Sequence, residues 1–434
     1  DGMTRLRGDN ATTPTSLNYW SETRGIVKIG GSNTSSTLPK FVRLENLDIS
    51  GARSVNTFTD DGNNTVHYDA NAAGVFVESG EDITISGCRL HDNGNGLFVA
   101  WEAKNVLVRW NTILDNGNTG SVYEHNSYTE ADGITFDLND YGPLCAGCLG
   151  NNLKDRSAGT IIRLNRIDGG NRQLDLVDSD HEEIRSRPGY RRTFVYGNYL
   201  VERDGSGNRQ MIHYGGDNGD ESIYRHGILH LYDNTFWSDR TDRNTLIRLS
   251  STQDTADIRN NVLYTNAPGS SLEILAGAGV ALLRNNWLPL GWRTSFDPIG
   301  TVTETGTNPT GTDPKFVNFA AQDMRLTMDS PLHGQAGPLS PDVDSALVPR
   351  MAFYSITPSI RFTDRGDTGA IGAFSSSNKY STGIIARSHS PMSVPGLGFR
   401  MEDGFRQIVR QGGNVFDVTG KWLPRSIASY PPNP

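Results

Sequence analysis

The chain reads as an all-β protein, a parallel β-helix (solenoid) with long loops and an extended C-terminal tail. A short phrase recurs along it: an apolar residue, an outward residue, any residue, Asn, any residue, an apolar residue. Copies centre on Asn111, Asn165, Asn198, Asn234, Asn261 and Asn286, and earlier versions carry Leu47 and Cys88 in place of Asn. Period-2 alternation marks strand, and the central Asn marks a bend where a side-chain amide satisfies a turning backbone. Each copy is too short to bury an apolar face alone, so the copies must stack. Composition agrees. Of 434 residues 35% are hydrophobic and 21% charged, with 48 Gly, 35 Asn, 33 Arg and 7 Lys, a turn-rich mixture that excludes a helical bundle, a coiled coil and a membrane span.

A second strand aligns in the same coils at Gly74-Val75-Phe76-Val77, Gly96-Leu97-Phe98-Val99, Arg172-Gln173-Leu174-Asp175-Leu176, Arg209-Gln210-Met211-Ile212-His213 and Leu246-Ile247-Arg248-Leu249. The matching Asn-Arg-Gln triplets at 171–173 and 208–210 set the register of two of these. Asn126 lies too close to Asn111 for a full coil, so residues 121–126 are assigned to this second strand. The helix is expected to span residues 1–290, a closing segment 291–374 and a tail 375–434. The tail carries Trp422 and other apolar residues thinly spread among Ser, Gly and Pro. It is therefore expected to dock on its own helix over 375–400 and, through residues 422–434, on a neighbouring subunit.

The formal charge of -9 argues against nucleic-acid binding. Three cysteines are too few for a disulfide scaffold or a closed zinc site. Cys88 occupies a ladder position and is expected to be a buried thiol, whereas Cys145 and Cys148 are spaced to close on each other. A chain opening at Asp1 fits a trimmed secreted protein, which places it in an extracellular, cell-surface or periplasmic setting.

Stacking puts equivalent positions in columns about 4.8 Å apart. The outward residue two before the ladder Asn reads Glu45, Ser86, Arg109, Arg163, Tyr196, Tyr232, Arg259 and Arg284. Arg109, Arg163, Tyr196 and Tyr232 are the expected contacts to an acidic polysaccharide, by bidentate pairing and ring stacking; a solvated ridge reads equally well from the same residues. Three insertions, 127–159, 178–192 and 215–227, are expected to rise side by side and wall a cleft. Lys154, Arg156 and Arg172 are the candidate cationic centre, and His181 and His213 are candidate substrate contacts, with His125 an alternative base. Asp178, Asp180, Asp217 and Asp220 are candidate oxygen ligands for Ca2+.

Residues 313–317, 324–326, 330–332 and Gly366-Asp367-Thr368-Gly369-Ala370-Ile371-Gly372 resemble the closing segment of bacterial secreted right-handed β-helix proteins. Right-handedness follows from that resemblance and from the chirality of parallel crossovers. Asn152-Leu153-Lys154-Asp155-Arg156-Ser157 resembles the segment of chondroitinase B and alginate lyase family β-helices that presents a catalytic Lys. The resemblance implies cleavage of a uronate polymer by β-elimination, with Lys154 as base if neighbouring Arg156, Arg163 and Arg172 lower its pKa. The family's following Arg strand is replaced here by Leu174-Asp175-Leu176-Val177-Asp178. Two readings stay open: a polysaccharide-binding, eliminating enzyme, and a non-catalytic surface or fibre subunit that assembles through its tail.

Overall fold

The computed structural model describes residues 2–17, 22–32 and 36–377, and beyond them the backbone of five short strands between Ile384 and Leu423. Its core is the expected parallel β-helix, three strands to a coil. One sheet stacks nine strands, from Thr4–Arg7 through Arg89–His91 and Arg166–Asp168 to Val262–Thr265. The other two strand columns run into each other in the early coils, because Ala73–Ser86 and Asn95–Arg109 each supply both. Inward side chains such as Val108, Phe136, Ile162, Val195, Leu231 and Ile258 fill a continuous apolar interior.

The bend between the first and third strands explains the repeated phrase. The residue before each ladder position has positive φ: 55° at Trp110, 60° at Leu138, 56° at Leu164, 64° at Gly197, 55° at Asp233 and 56° at Asn260. A left-handed non-glycine residue costs about 1–2 kcal/mol, and it breaks the ladder of backbone hydrogen bonds. The next residue, Asn, repairs the break. Asn198 Nδ2 donates to Ile162 O and to Asn234 Oδ1, both at 2.9 Å, while its Oδ1 accepts from the Asn165 backbone N–H at 2.9 Å and from Asn165 Nδ2 at 3.0 Å. The same pattern runs unbroken from Asn111 through Asn139, Asn165, Asn198, Asn234, Asn261 and Asn286 to Asn308.

Asn139 and Asn308 are two rungs beyond the expected set, and they correct three boundaries. Residues 127–159 are no insertion but a full coil of Ser127–Thr129, Asp132–Asp137 and Asp140–Tyr141, followed by Leu153–Asp155, which opens the next coil. Asn126 precedes the second strand as part of another amide ladder, Asn93, Asn116, Asn126 and Asn152. The coils continue past 290, because Val280–Arg284 pairs with Thr301–Glu304 and Leu288–Pro289 with Thr310–Gly311.

Residues 313–377 do not cap the end; they fold back along the flank. Met324, Phe353, Ile356, Phe362 and Phe374 pack on Leu138, Leu164, Tyr199 and Val201, and Leu332 and Ile371 pack on Val262 and Trp287. The expected tail falls mostly outside the described residues. Of what is described there, Ile384–Ala386 adds antiparallel to Arg361–Asp364, and strands from Leu397 to Leu423 pair antiparallel with one another rather than lying extended.

Cys88 is buried outside any disulfide, and Cys145 and Cys148 are joined. Thiol titration of the denatured, unreduced protein should find one group. Replacing Asn198 by Ala orphans several buried partners and should lower stability by about 3 kcal/mol or more, read from denaturant midpoints. A second buried group makes stability pH-dependent. Glu202 is fully buried and accepts from Gln173 and Arg240, yet burial prevails and pushes its carboxyl up to about 7 from 4.5. The native state thus holds the proton more tightly than the unfolded chain. Its stabilising contribution is present below the unfolded value and is lost as pH rises through about 7; Tm measured from pH 5 to 8 should fall less in Glu202→Gln than in the parent protein.

Candidate functional site

The chemistry collects on the outward face of the second-strand column. Strand pairing sets Tyr128 beside Lys154, Lys154 beside Asp175, Asp175 beside His213 and His213 beside Arg248. Alternation sends Leu153 and Asp155 inward and Lys154 outward. Two loops close over this face. Residues 178–192 hold the short helix Glu182–Arg185 and a turn at Pro188–Arg191; residues 215–227 hold a turn at Glu221–Ile223. Arg225 staples both to the coils. It is fully buried and donates to the carbonyls of Val177, Ser157, Tyr190 and Asp155, with its guanidinium over the Tyr190 ring.

Lys154 and Arg156 meet as expected, but inside a compensated network. Lys154 Nζ donates to Asp175 Oδ2 at 2.8 Å and to Asp217. Arg156 donates to Asp217 Oδ1 at 2.8 Å, to the Tyr128 hydroxyl at 3.0 Å and to the Asp178 carbonyl. Burial pulls the Lys154 ammonium downward, yet Asp175 and Asp217 outweigh it together with Arg156, and its pKa ends above the ordinary value. The expected lowering by neighbouring arginines is therefore overturned. Arg163 is not among those neighbours: it lies on the first-strand column, bound to Asp137 and Tyr196. Arg172 sits at the flank of the cluster, 3.8 Å from Asp175 and 3.0 Å from Gln210 Oε1.

His213 belongs to the cluster, with Nδ1 2.8 Å from Asp175 Oδ1 and Nε2 2.7 Å from Ser250 Oγ. His125 is buried and pushed down to about 3, chiefly by burial, and its Nδ1 accepts the Asn151 N–H. It is neutral and structural. His181 lies on the neighbouring rim, 3.0 Å from Glu130 and stacked 4.8 Å from the Trp101 ring. There an open groove of about 530 Å³ is lined by Trp101, Glu102, Lys104, Asp132, Glu183 and Arg187.

The four aspartates proposed for Ca2+ do not converge, and among the described residues no group of three His, Cys, Asp or Glu is placed to hold a metal. Asp217 answers Lys154 and Arg156. Asp178 Oδ1 accepts the Asp217 N–H at 2.6 Å, Asp220 caps the turn through Ser222, and Asp180 stays at the exposed surface, 3.5 Å from Asn218.

The ridge of Arg and Tyr is a real column, but it is covered. Arg109 is buried against Asp137 at 3.0 Å, and Tyr196 and Tyr232 stack 4.9 Å apart at 2% and 1% exposure. Residues 337–347 of the folded-back segment lie across the ridge: the Tyr232 hydroxyl donates to Leu347 O and Arg259 to Pro338 O. Arg109 and Arg163 are thus turned to Asp137, and Tyr196 and Tyr232 are buried, Tyr232 against the C-terminal segment.

Sequence reading missed Tyr128, Asp175, Arg225 and Ser250. A signal for Asp175 was present. Aligning the Asn-Arg-Gln triplets sets Leu174 against Met211, whereas the true register sets Leu174 against Ile212 and Asp175 against His213. A slip of one residue exchanges the faces of a strand, and this slip hid the Asp175–His213 pair.

A family model described as a right handed beta helix region matches residues 24–186. It agrees with the handedness expected of parallel crossovers, and the chain is a right-handed parallel β-helix. Among solved structures, a mutant tailspike protein of E. coli bacteriophage HK620 in complex with a hexasaccharide is similar at a TM-score of 0.45 and 11% identity, over 71% of this chain and 57% of that chain. A double mutant of the same tailspike gives a TM-score of 0.44 and 12% identity, over 70% and 58%. This chain therefore spans less than two thirds of either. No curated protein matches.

Proposed function

We propose that the protein binds an acidic polysaccharide outside the cell, its uronate carboxylate entering between Lys154 and Arg156. One observation carries the reading: these two cations, one on the strand Leu153–Asp155 and one just past its end, already grip a carboxylate that comes from a loop. Asp217 is that carboxylate, and its side chain is 28% exposed where those of Lys154 and Arg156 are each 9% exposed. A sugar acid presents the same two oxygens, and Arg is suited to take them bidentately. The nearby groove adds a Trp101 ring for stacking and mixed charged groups for hydroxyls. The Cys145–Cys148 disulfide fits an oxidising compartment.

Binding without elimination is the better-supported form of this reading. A Lys held charged by Asp175 and Asp217 is a poor acceptor for a C5 proton. The chondroitinase and alginate lyase resemblance then supplies the carboxylate-recognising part of such a site and not its base.

Asp217→Asn should tighten binding of uronate oligosaccharides about tenfold by removing the competing charge. Lys154→Ala and Arg156→Ala should weaken it at least tenfold, and added salt should weaken it further. Calorimetric titration with glucuronate, galacturonate and mannuronate oligomers, against neutral glucans as control, decides. Equal affinity for neutral and acidic chains rejects the carboxylate subsite, and ultraviolet-absorbing unsaturated products would restore the eliminating enzyme.

A further inference from the structure

Carboxylate capture leaves one arrangement on this face unused. Three successive coils contribute Asp175, His213 and Ser250, and their polar atoms form a line: Asp175 Oδ1 to His213 Nδ1 at 2.8 Å, His213 Nε2 to Ser250 Oγ at 2.7 Å. We propose that these residues form a nucleophilic ester-hydrolysing site, with Ser250 the nucleophile, His213 its base and Asp175 the group that orients the imidazole.

The strands dictate the line. Asp175 and His213 are register partners, and His213 is paired in turn with Arg248. Alternation two residues on puts Ser250 on the same outward side, at the end of its strand Arg243–Leu249 and half-buried where Asp175 and His213 are buried. Such a gradient, from a buried carboxylate to a half-buried serine, suits nucleophile activation.

The protonation states agree with those roles. Although burial opposes it, Lys154 and His213 hold the Asp175 carboxyl far below the usual range, so it is ionised and can only accept from Nδ1–H. Burial, helped by Arg172 and Arg248, outweighs Asp175 and holds His213 below its ordinary value, leaving Nε2 free to take a proton. The Ser250 hydroxyl has one proton and two acceptors within reach, His213 Nε2 and Gly216 O at 2.8 Å. Rotation from the loop carbonyl to the imidazole arms it.

In the reaction, Ser250 Oγ bonds to the acyl carbon while its proton passes to His213 Nε2. The tetrahedral intermediate collapses with loss of the alcohol oxygen, which takes that proton. Water then attacks the acyl-serine, again through His213, and releases the acid and the free hydroxyl. The net change is ester plus water to alcohol plus acid. Arg172 and Arg248, whose charges reach His213, supply positive potential for the oxyanion. The substrate class is an O-acyl ester on a sugar, because the surroundings are charged rather than apolar; that assignment rests on the polysaccharide reading, whereas the nucleophile does not.

A fluorophosphonate probe separates the two. Mass spectrometry should place the probe on Ser250 in the parent protein, lose it in Ser250→Ala and retain it in a variant of the exposed Ser222, Ser222→Ala, with each variant still melting cooperatively. His213→Gln should slow labelling at least 100-fold, and p-nitrophenyl acetate hydrolysis should fall in parallel. Absence of labelling in the parent, labelling elsewhere, or equal rates in His213→Gln would overturn the proposal. Failure to bind uronates would leave this result unaffected and would withdraw only the sugar-ester assignment, which release of acetate from acetylated against unacetylated polyuronate tests directly.

Discussion

Each coil turns through a left-handed residue, and the amide that follows it makes the turn tolerable. Trp110, Leu138, Leu164, Asp233 and Asn260 all hold a backbone conformation that side chains disfavour. The Asn stack bonds each bend to the next and saturates its own amide groups away from water. Because every rung accepts from the rung before it, a coil cannot slip along the axis without orphaning two neighbours. Coils joined by this stack are held in register with one another, including those that set Lys154, Asp175 and His213 in line. Cys88 interrupts the stack at its early end: its N–H still donates to Asn111 Oδ1, while its thiol lies against the carbonyls of Leu44 and Ser86.

A rigid column of outward side chains brings charges to a spacing at which they must be compensated. Lys154, Arg156 and Arg172 face Asp175, Asp178 and Asp217 on one patch, and in that setting a lone charge would carry a large desolvation cost. Compensation from the strands (Asp175) is permanent. Compensation from a loop (Asp217) is the kind a ligand can replace. Arg225 decides how firmly the loops sit, because it ties 178–192 and 215–227 to the carbonyls of the coils beneath. The Lys154–Arg156 pair and the Ser250 line both touch the 215–227 loop, through Asp217 in one case and the Gly216 carbonyl in the other.

The folded-back segment allots the faces of the solenoid. It covers the flank that carries Tyr196 and Tyr232 and leaves the second-strand face to the two loops. A ridge that reads as binding from its Arg and Tyr content is therefore buried at Tyr196 and Tyr232, and the face beneath the two loops carries the charged cluster around Lys154. Apolar side chains of Phe353, Phe362 and Phe374, packed on Leu164 and Tyr199, drive that choice.

The solenoid was legible from sequence because its cause is local: alternation every second residue and an Asn after each bend are properties of six-residue stretches. That Lys154, Arg156 and His213 would fall in one charged cluster was legible because they lie beside loops of dense charge. The pairing of Asp175 with His213 was not, since it depends on a register that the similar triplets at 171–173 and 208–210 misstate by one residue. Nor could sequence tell that Asp217 would neutralise Lys154, or that residues 337–347 would cover the ridge. Those contacts join residues 63 to 115 positions apart, and at such separations periodicity carries no information. Only the stacking of whole coils, and the apolar burial that folds the C-terminal segment back over them, decided which charges meet and which face stays open.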